Sequence, residues 1–326
     1  MRYRSLGQSG LIVSELGLGC NNLGGRIDKA QSCHLVDAAL DLGVTFFDVA
    51  DVYGRRDAHA GASEEALGAA LAGKRTNAVI ATKFGMSMVS GPDPSGHASG
   101  ASRRYIMQAV EASLKRLQTD WIDLYQLHCP DPHTPLEETL HALDDLTRAG
   151  KIRYAGVSNL PAWQVVDACH IARRDRLAGI ISCQDELSLL DRKAQTDLLP
   201  ALRQFGLGLL PYFPLASGML TGKYRKDTPP PSGSRLAVWT YLQDRYQGAP
   251  VWELLDALAA LSQRHEVSLA DLAFGWLLRH EAVGSIIAGA TSVAQMQDNA
   301  RSCAGKFSDD LFAELNALFA AHEGQS

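Results

Sequence analysis

Long apolar runs are absent. No stretch approaches the roughly 18 residues that a membrane-spanning helix needs, so no membrane partner is expected. Cysteine pairs are absent too. Cys20, Cys33, Cys129, Cys169, Cys183 and Cys303 are scattered and form no C-x-x-C. In a chain of 326 residues they read as reduced thiols, not as a disulfide framework or a zinc site. A basic excess is missing: 31 Lys and Arg stand against 36 Asp and Glu, a net charge of −5. Nucleic acid usually needs a basic face and is not an expected partner. The first residues, MRYRSLGQSG, lack the apolar core of a signal peptide, so a cytoplasmic protein is expected. What is present is an ordinary globular composition, 46% hydrophobic and 21% charged, which argues against disorder.

Apolar, often β-branched runs alternate with helix-like stretches. Eight runs qualify as strands: Leu16–Cys20, Val44–Asp48, Ala78–Lys83, Ile122–His128, Arg153–Ser158, Gly179–Gln184, Leu207–Phe213 and Ser285–Ala288. Their near-continuous hydrophobicity suits strands buried on both faces, as in a parallel sheet. Between them the spacing is helical. Ile106, Val110, Leu114 and Leu117 keep that period, as do Leu136, Leu140, Leu143 and Leu146. Thr134-Pro135-Leu136-Glu137 reads as a capping box with Pro at the first helical position. Gly43, Gly73 and Gly150 fall where helices should stop.

Eight strands alternating with helices predict an α/β protein, a (β/α)8 TIM barrel forming one domain over residues 1–326. An open doubly wound sheet is the runner-up. No G-x-G-x-x-G follows the first strand, and Gly17-Leu18-Gly19-Cys20-Asn21-Asn22 fails at its last position. Arg2–Glu15, with Gly7 and Gly10 in its middle, reads as an added N-terminal β-hairpin. A long insertion separates the seventh and eighth strands. It begins with Pro214–Gly248, rich in Pro and Gly, and continues with helices near Val251–Arg264 and Ser268–Arg279. The first part, with Pro229-Pro230-Pro231, has a composition that should not hold itself rigid without a ligand.

Active sites of such barrels lie at the C-terminal ends of the strands. Read in order, these ends offer Asp48 and then Tyr53, Lys83, His128, Ser158-Asn159, Gln184 and Tyr212. An acid, a phenol, an ammonium and an imidazole together can move a proton onto a carbonyl oxygen. A phenol with a pKa of about 10 is a poor acid at neutral pH unless its phenolate is stabilised. The Lys83 ammonium would do that, and Asp48 would hold the lysine in place. His128 would orient the carbonyl or share the proton. No metal is required. His128, Asp131 and His133 lie in a loop broken by Pro130 and Pro132, with no supporting Cys or Glu.

Several motifs then occur in order along essentially the whole chain. They are Val44-Thr45-Phe46-Phe47-Asp48-Val49-Ala50-Asp51-Val52-Tyr53-Gly54 and Glu64-Glu65-Ala66-Leu67-Gly68, followed by Ala81-Thr82-Lys83-Phe84 and Asp123-Leu124-Tyr125-Gln126-Leu127-His128. Gly156-Val157-Ser158-Asn159, Tyr212-Phe213-Pro214-Leu215 and Leu220-Thr221-Gly222-Lys223-Tyr224 complete the set. Together they resemble the aldo-keto reductase superfamily. Within it the chain is similar to the bacterial and potassium-channel β-subunit branch, because Thr45 stands where the mammalian reductases carry Arg.

The resemblance implies NAD(P)H-dependent reduction of a small aldehyde or ketone, or the reverse oxidation. It makes Tyr53 the general acid, Lys83 and Asp48 its tuners, and His128 the substrate orienter. It implies that Ser158, Asn159 and Gln184 bond the nicotinamide carboxamide and that Tyr212 stacks on the ring. Leu215 and Gly218 would line the pyrophosphate channel, with Lys223 bringing positive charge. Gly289-Ala290-Thr291-Ser292, with Gln295, Asp298 and Asn299, would hold the adenosine end. NADP(H) is the expected cofactor and NAD(H) the alternative. Neither Gly289 nor Gln295 supplies a charge for a 2′-phosphate, so Arg301, Lys223 or Arg225 would have to reach it.

The chain departs from the family at Gln184-Asp185-Glu186-Leu187, where Gln-Asn-Glu-Tyr is common, and at Phe213, where Ser is common. Plainer roles compete at two places. Ser158-Asn159 before Pro161 reads as a helix cap, and Ser292-Val293-Ala294-Gln295 as a capping box. Two other functions compete as well. One is an NADP(H)-binding regulatory subunit with slow turnover, suggested by the channel-associated relatives. The other is a barrel lyase or hydrolase, which would not need Ser158, Asn159, Gln184 and Tyr212 together. A monomer or weak homo-oligomer is expected.

Overall fold

The computed structural model describes residues 1–91, 98–246 and 248–323. Residues 92–97 of the Met86–Ser99 loop, residue 247 of the insertion and positions 324–326 lie outside them. Eight parallel strands close a barrel. They are β3 (Leu16–Gly19), β4 (Phe46–Asp48), β5 (Val79–Phe84), β6 (Ile122–Leu127), β7 (Ile152–Ser158), β8 (Ile180–Glu186), β9 (Gly208–Tyr212) and β10 (Ile286–Gly289). Each falls on one of the eight apolar runs. Neighbours follow chain order, and β10 closes the ring with Ile287 opposite Tyr212 and Ile286 opposite Leu16. Helices α1 (Lys29–Asp41), α2 (Ala62–Ala70), α3 (Arg103–Leu117), α4 (Leu136–Arg148), α5 (Ala162–Asp175) and α6 (Leu198–Phe205) follow β3 to β8 in turn.

Burial on both faces explains the unbroken hydrophobicity of the strands. Phe47, Ile80 and Tyr125 join the large cluster formed with the helices. Their neighbours Phe46, Ala81 and Leu124 join Leu210 and Ile287 in a second cluster inside the barrel. The predicted hairpin, β1 (Tyr3–Ser5) against β2 (Ile12–Ser14), adds Leu6, Leu11 and Val13 to that inner cluster and so forms its floor. Gly7 makes the seating possible. Its φ is +58°, and a Cβ there would stand 2.6 Å from the Gly206 carbonyl oxygen. Buried Glu15 then accepts from Arg2 Nε and Arg4 Nε, both at 2.6 Å. The same guanidinium groups reach the far end of the chain. Arg4 donates to the carbonyls of Leu278 at 3.0 Å and Val283 at 3.2 Å, and Arg2 to that of Cys303 at 3.1 Å.

Local signals fared unevenly. Gly43, Gly73 and Gly150 do take positive φ shortly past α1, α2 and α4. Thr134, however, does not cap α4. Its hydroxyl donates to Asp131 Oδ2 at 2.7 Å, and Pro135 is the uncapped N-cap residue. Asp131 also takes the backbone N–H groups of Ala101 and His133, so it organises this loop itself. Ser158 and Asn159 do not cap α5, whose N-cap is Pro161. In α11 (Val293–Ala304), Ser292 accepts from the Gln295 N–H at 3.3 Å, but the Gln295 side chain turns to Thr291, so only half the box forms.

The insertion carries the two helices expected in its later part and two short ones within Pro214–Gly248. It contains α7 (Arg235–Val238), α8 (Thr240–Tyr246), α9 (Ala249–Arg264) and α10 (Leu269–Leu278). Leu236, Leu242 and Tyr246 are turned inward and buried, while Val238 and Tyr241 stay exposed. Arg245 pins it to the barrel, donating to both Glu186 oxygens at 3.0 and 2.8 Å and to Asp191 at 2.8 Å. Composition counts apolar residues but not where they point. No helix among the described residues is long and apolar enough to cross a membrane. Glu15→Ala would leave two guanidinium groups without their carboxylate at the barrel floor. It is expected to lower the unfolding free energy by about 2 kcal/mol, measured by urea denaturation against the parent chain.

Candidate active site

The turn leaving β4 folds back along β5. The Val49 N–H donates to the Ala81 carbonyl, Asp51 N–H to Lys83 and Tyr53 N–H to Ala50. This brings Tyr53 over the end of β5, where Lys83 is fully buried. Lys83 Nζ donates to Asp48 Oδ2 at 2.7 Å, to the Val49 carbonyl at 3.1 Å and to Tyr53 Oη at 3.3 Å. All three ammonium protons are engaged. The second Asp48 oxygen accepts from Gln184 Nε2 at 2.8 Å, reaching across from β8. His128, just past β6, stands edge-on to Tyr53 with ring centres 5.7 Å apart. The four predicted catalytic side chains are therefore one contact group.

Its electrostatics follow from burial and from the ion pair. Burial works against the Lys83 ammonium, but Asp48 and then Tyr53 outweigh it and hold its pKa above the ordinary lysine value. Burial likewise pushes the Tyr53 phenol up, and Lys83 offsets this only in part. Lys83 thus acts on the phenol in the expected direction, but burial outweighs it. Tyr53 rests as a neutral donor, and Lys83 matters once negative charge arrives on the oxygen. For His128, burial and then Lys83 lower the pKa to about 3. Its Nδ1 is buried with no partner among the described residues. At neutral pH a neutral imidazole can orient a carbonyl oxygen but does not protonate it.

A second bonded group adjoins the first. Asn159 has φ +60°, a region that Asn tolerates better than most residues. Its Nδ2 donates to the His128 carbonyl at 2.9 Å and to Ser158 Oγ at 3.0 Å. Its Oδ1 accepts from Tyr212 Oη at 2.8 Å. Beyond Tyr212 the chain passes half-buried Leu215, and the backbone is left-handed at Phe213, Ala216, Ser217 and Gly218. A Cβ on Gly218 would meet Lys223 Nζ at 3.0 Å, so a bare backbone patch and an ammonium lie side by side.

The third group lies at the end of β10. A Cβ on Gly289 would meet Arg235 Nη2 at 3.2 Å and Asn22 Nδ2 at 3.6 Å. Thr291 donates to Gln295 Oε1 through both N–H and hydroxyl, at 2.9 and 3.1 Å. Asn299 is buried on α11. Asp298 pairs with Arg301 at the surface of α11. The cation that does stand at Gly289 is Arg235, which sequence reasoning missed. It comes from α7 in the insertion and has no spacing relation to β10. Its only sequence signal is a lone Arg after Ser232-Gly233-Ser234 in a segment poor in aliphatic residues. Two glycines, each with a cation where a side chain would be, fit a ligand with separated phosphate groups.

A model described as the aldo/keto reductase family matches residues 15–320. The chain belongs to that family. Aldo/keto reductases are oxidoreductases that bind NAD(P)H and act on small carbonyl compounds. The chain is 34% identical over 329 residues to the uncharacterized oxidoreductase YrpG of Bacillus subtilis (strain 168), covering 100% of this chain and 98% of that protein. It is 37% identical over 309 residues to a probable voltage-gated potassium channel subunit beta of Arabidopsis thaliana, covering 93% and 91%. It is 34% identical over 344 residues to Protein tas of Escherichia coli (strain K12), covering 98% and 97%.

The depressed His128 has a direct readout. Free histidine titrates near about 6.5, but the His128 ring should stay neutral down to at least about pH 5, its folded pKa being about 3. Its imidazole NMR resonances should be constant between pH 8 and 5. A His128 midpoint near 6.5 would contradict the burial argument.

Proposed function

We propose that this protein reduces aldehydes or ketones to alcohols, reversibly, with NADP(H) as cofactor and Tyr53 as the proton donor. One observation supports this reading above the others. A fully buried ammonium touches both a carboxylate and a phenol, and the phenol stands edge-on to a neutral imidazole. When bound, the nicotinamide supplies the hydride that adds to the carbonyl carbon. His128 donates a hydrogen bond to the carbonyl oxygen and fixes its direction. Tyr53 gives its proton to that oxygen as negative charge develops there. The charge left on the Tyr53 oxygen then lies beside Lys83. Asp48, itself held by Gln184, already fixes the lysine, so little reorganises during the step.

Ser158 and Asn159, with Gln184, would take the nicotinamide carboxamide, and Tyr212 would offer its ring face. Leu215, Gly218 and Lys223 would serve the pyrophosphate. Thr291, Ser292, Gln295 and Asn299, with Asp298, would surround the adenosine at the start of α11. Arg235 beside Gly289 would supply the charge for a 2′-phosphate, which favours NADP(H) over NAD(H).

Tyr53→Phe is expected to keep NADPH affinity and to lower turnover at least about 100-fold. Steady-state reduction of a reactive aldehyde, with fluorescence quenching for the cofactor, measures both. Turnover near the parent value would remove Tyr53 from the mechanism. Arg235→Leu is expected to weaken NADPH binding about 10- to 100-fold, the worth of a charge-assisted phosphate contact, and to leave NADH binding unchanged. Equal losses for both nucleotides would assign Arg235 to the shape of the insertion instead.

A further inference from the structure

A second polar cluster lies behind the catalytic one, between the barrel wall and helices α2 and α3. At its centre is Asp51, in the turn that carries Tyr53. Its carboxyl is 1% exposed. Oδ2 accepts from Tyr105 Oη at 3.4 Å, and Oδ1 has no partner among the described residues. Glu64 faces it from α2, Tyr105 and Arg116 from α3, and Tyr125 and Cys129 from β6 and its end. Arg116 is already committed. It donates to Glu64 at 2.6 Å, and the other Glu64 oxygen accepts from Thr82 Oγ1 at 2.6 Å. Two carboxyl groups thus share one guanidinium, and Glu64 holds it. An ionised Asp51 would be a buried charge with no cation of its own, beside a second negative charge. A carboxylic acid at the same place accepts from Tyr105 and keeps a proton to donate. The Tyr125 hydroxyl, buried and also without a partner among the described residues, faces the same cluster.

We infer that Asp51 is a neutral carboxylic acid in the working protein and a positioning residue for Tyr53, tying the turn at 49–53 to α3 through Tyr105. Its own N–H donates to the Lys83 carbonyl at 3.1 Å, so the anchored peptide is the one that joins the Tyr53 turn to the Lys83 strand. Burial, and then the Glu64 carboxylate, push Asp51 up to about 8. Ionisation at the alkaline edge would therefore loosen the turn. The activity arm of the test rests on the proposed reduction. The thermal arm needs no substrate.

The sign is set by proton counts. The unfolded chain releases this proton at about pH 4, and the folded chain at about 8. Between those values the folded state binds more protons, so stability falls as pH rises and levels off above 8. Asp51→Asn imitates the neutral acid and cannot ionise. Its Tm should match the parent near pH 4 and exceed it by about 5 °C at pH 8. Parallel Tm curves from pH 5 to 8 would overturn the neutral acid, even for a protein that reduced nothing. In turnover, the parent should lose kcat above pH 8 with a fall that Asp51→Asn lacks. Asp51→Leu, which cuts the tether, should lower kcat at least about tenfold at pH 7, with NADPH affinity kept and the Asn variant rescuing it. Parent-like kcat in Asp51→Leu overturns the positioning role. Should Asp51→Asn fail to fold, Tyr105→Phe takes its place. Removing the phenol that favours the ionised form should move the alkaline fall upward, and an unmoved fall overturns the inference.

Discussion

The ion pair between Asp48 and Lys83 constrains everything around it. Two charges removed from water cost several kcal/mol each unless their remaining hydrogen-bonding positions are filled. Here they are filled by Gln184, the Val49 carbonyl and Tyr53. That requirement couples β4, β5 and β8, which are not all adjacent, through the interior of the barrel. It also fixes the alternation of the strands. Ala81 lies in the inner cluster, and Lys83, two positions later on β5, meets Asp48 at the C-terminal mouth. A register slip of one residue would send the lysine among the helices and leave Asp48 alone.

The turn after β4 stands between two polar clusters of opposite character. Toward the barrel it delivers Tyr53 to a cation. Toward the helices it buries Asp51 beside Glu64. A short stretch of backbone is thus held from both sides, and the contacts on each side are unusually polar for their depth. Such networks are costly when partly filled and rigid when filled. The position of Tyr53 therefore depends on groups that never approach the reacting atoms.

Much of this arrangement was legible in the sequence, and its limits are physical. Strands came through because parallel strands buried on both faces leave continuous apolar runs. The four side chains of the contact group could be singled out because each ends or follows such a run. Burial did not come through. The composition of the turn cannot show that Tyr53 is too enclosed for Lys83 to acidify it, or that Asp51 lacks a cation. Arg235 was invisible for another reason. It belongs to a segment whose path over the barrel is decided by Leu236, Leu242 and Arg245, not by any period along the chain. Thr134 was misread because a local capping pattern lost to Asp131, which also holds the N–H groups of Ala101 and His133.

The barrel floor has a consequence for the order in which the protein can be made. Arg2 and Arg4 find carbonyl partners separated from them by 301, 279 and 274 positions. The hairpin is made well before β10, yet its seat includes Ile287 of that strand. At about 5–20 residues per second, it waits many seconds with Leu6, Leu11 and Val13 exposed. Early barrel segments can gain helical structure in that interval but cannot close. Closure therefore waits for β10, and until that strand is made the apolar face of the hairpin lacks part of its seat.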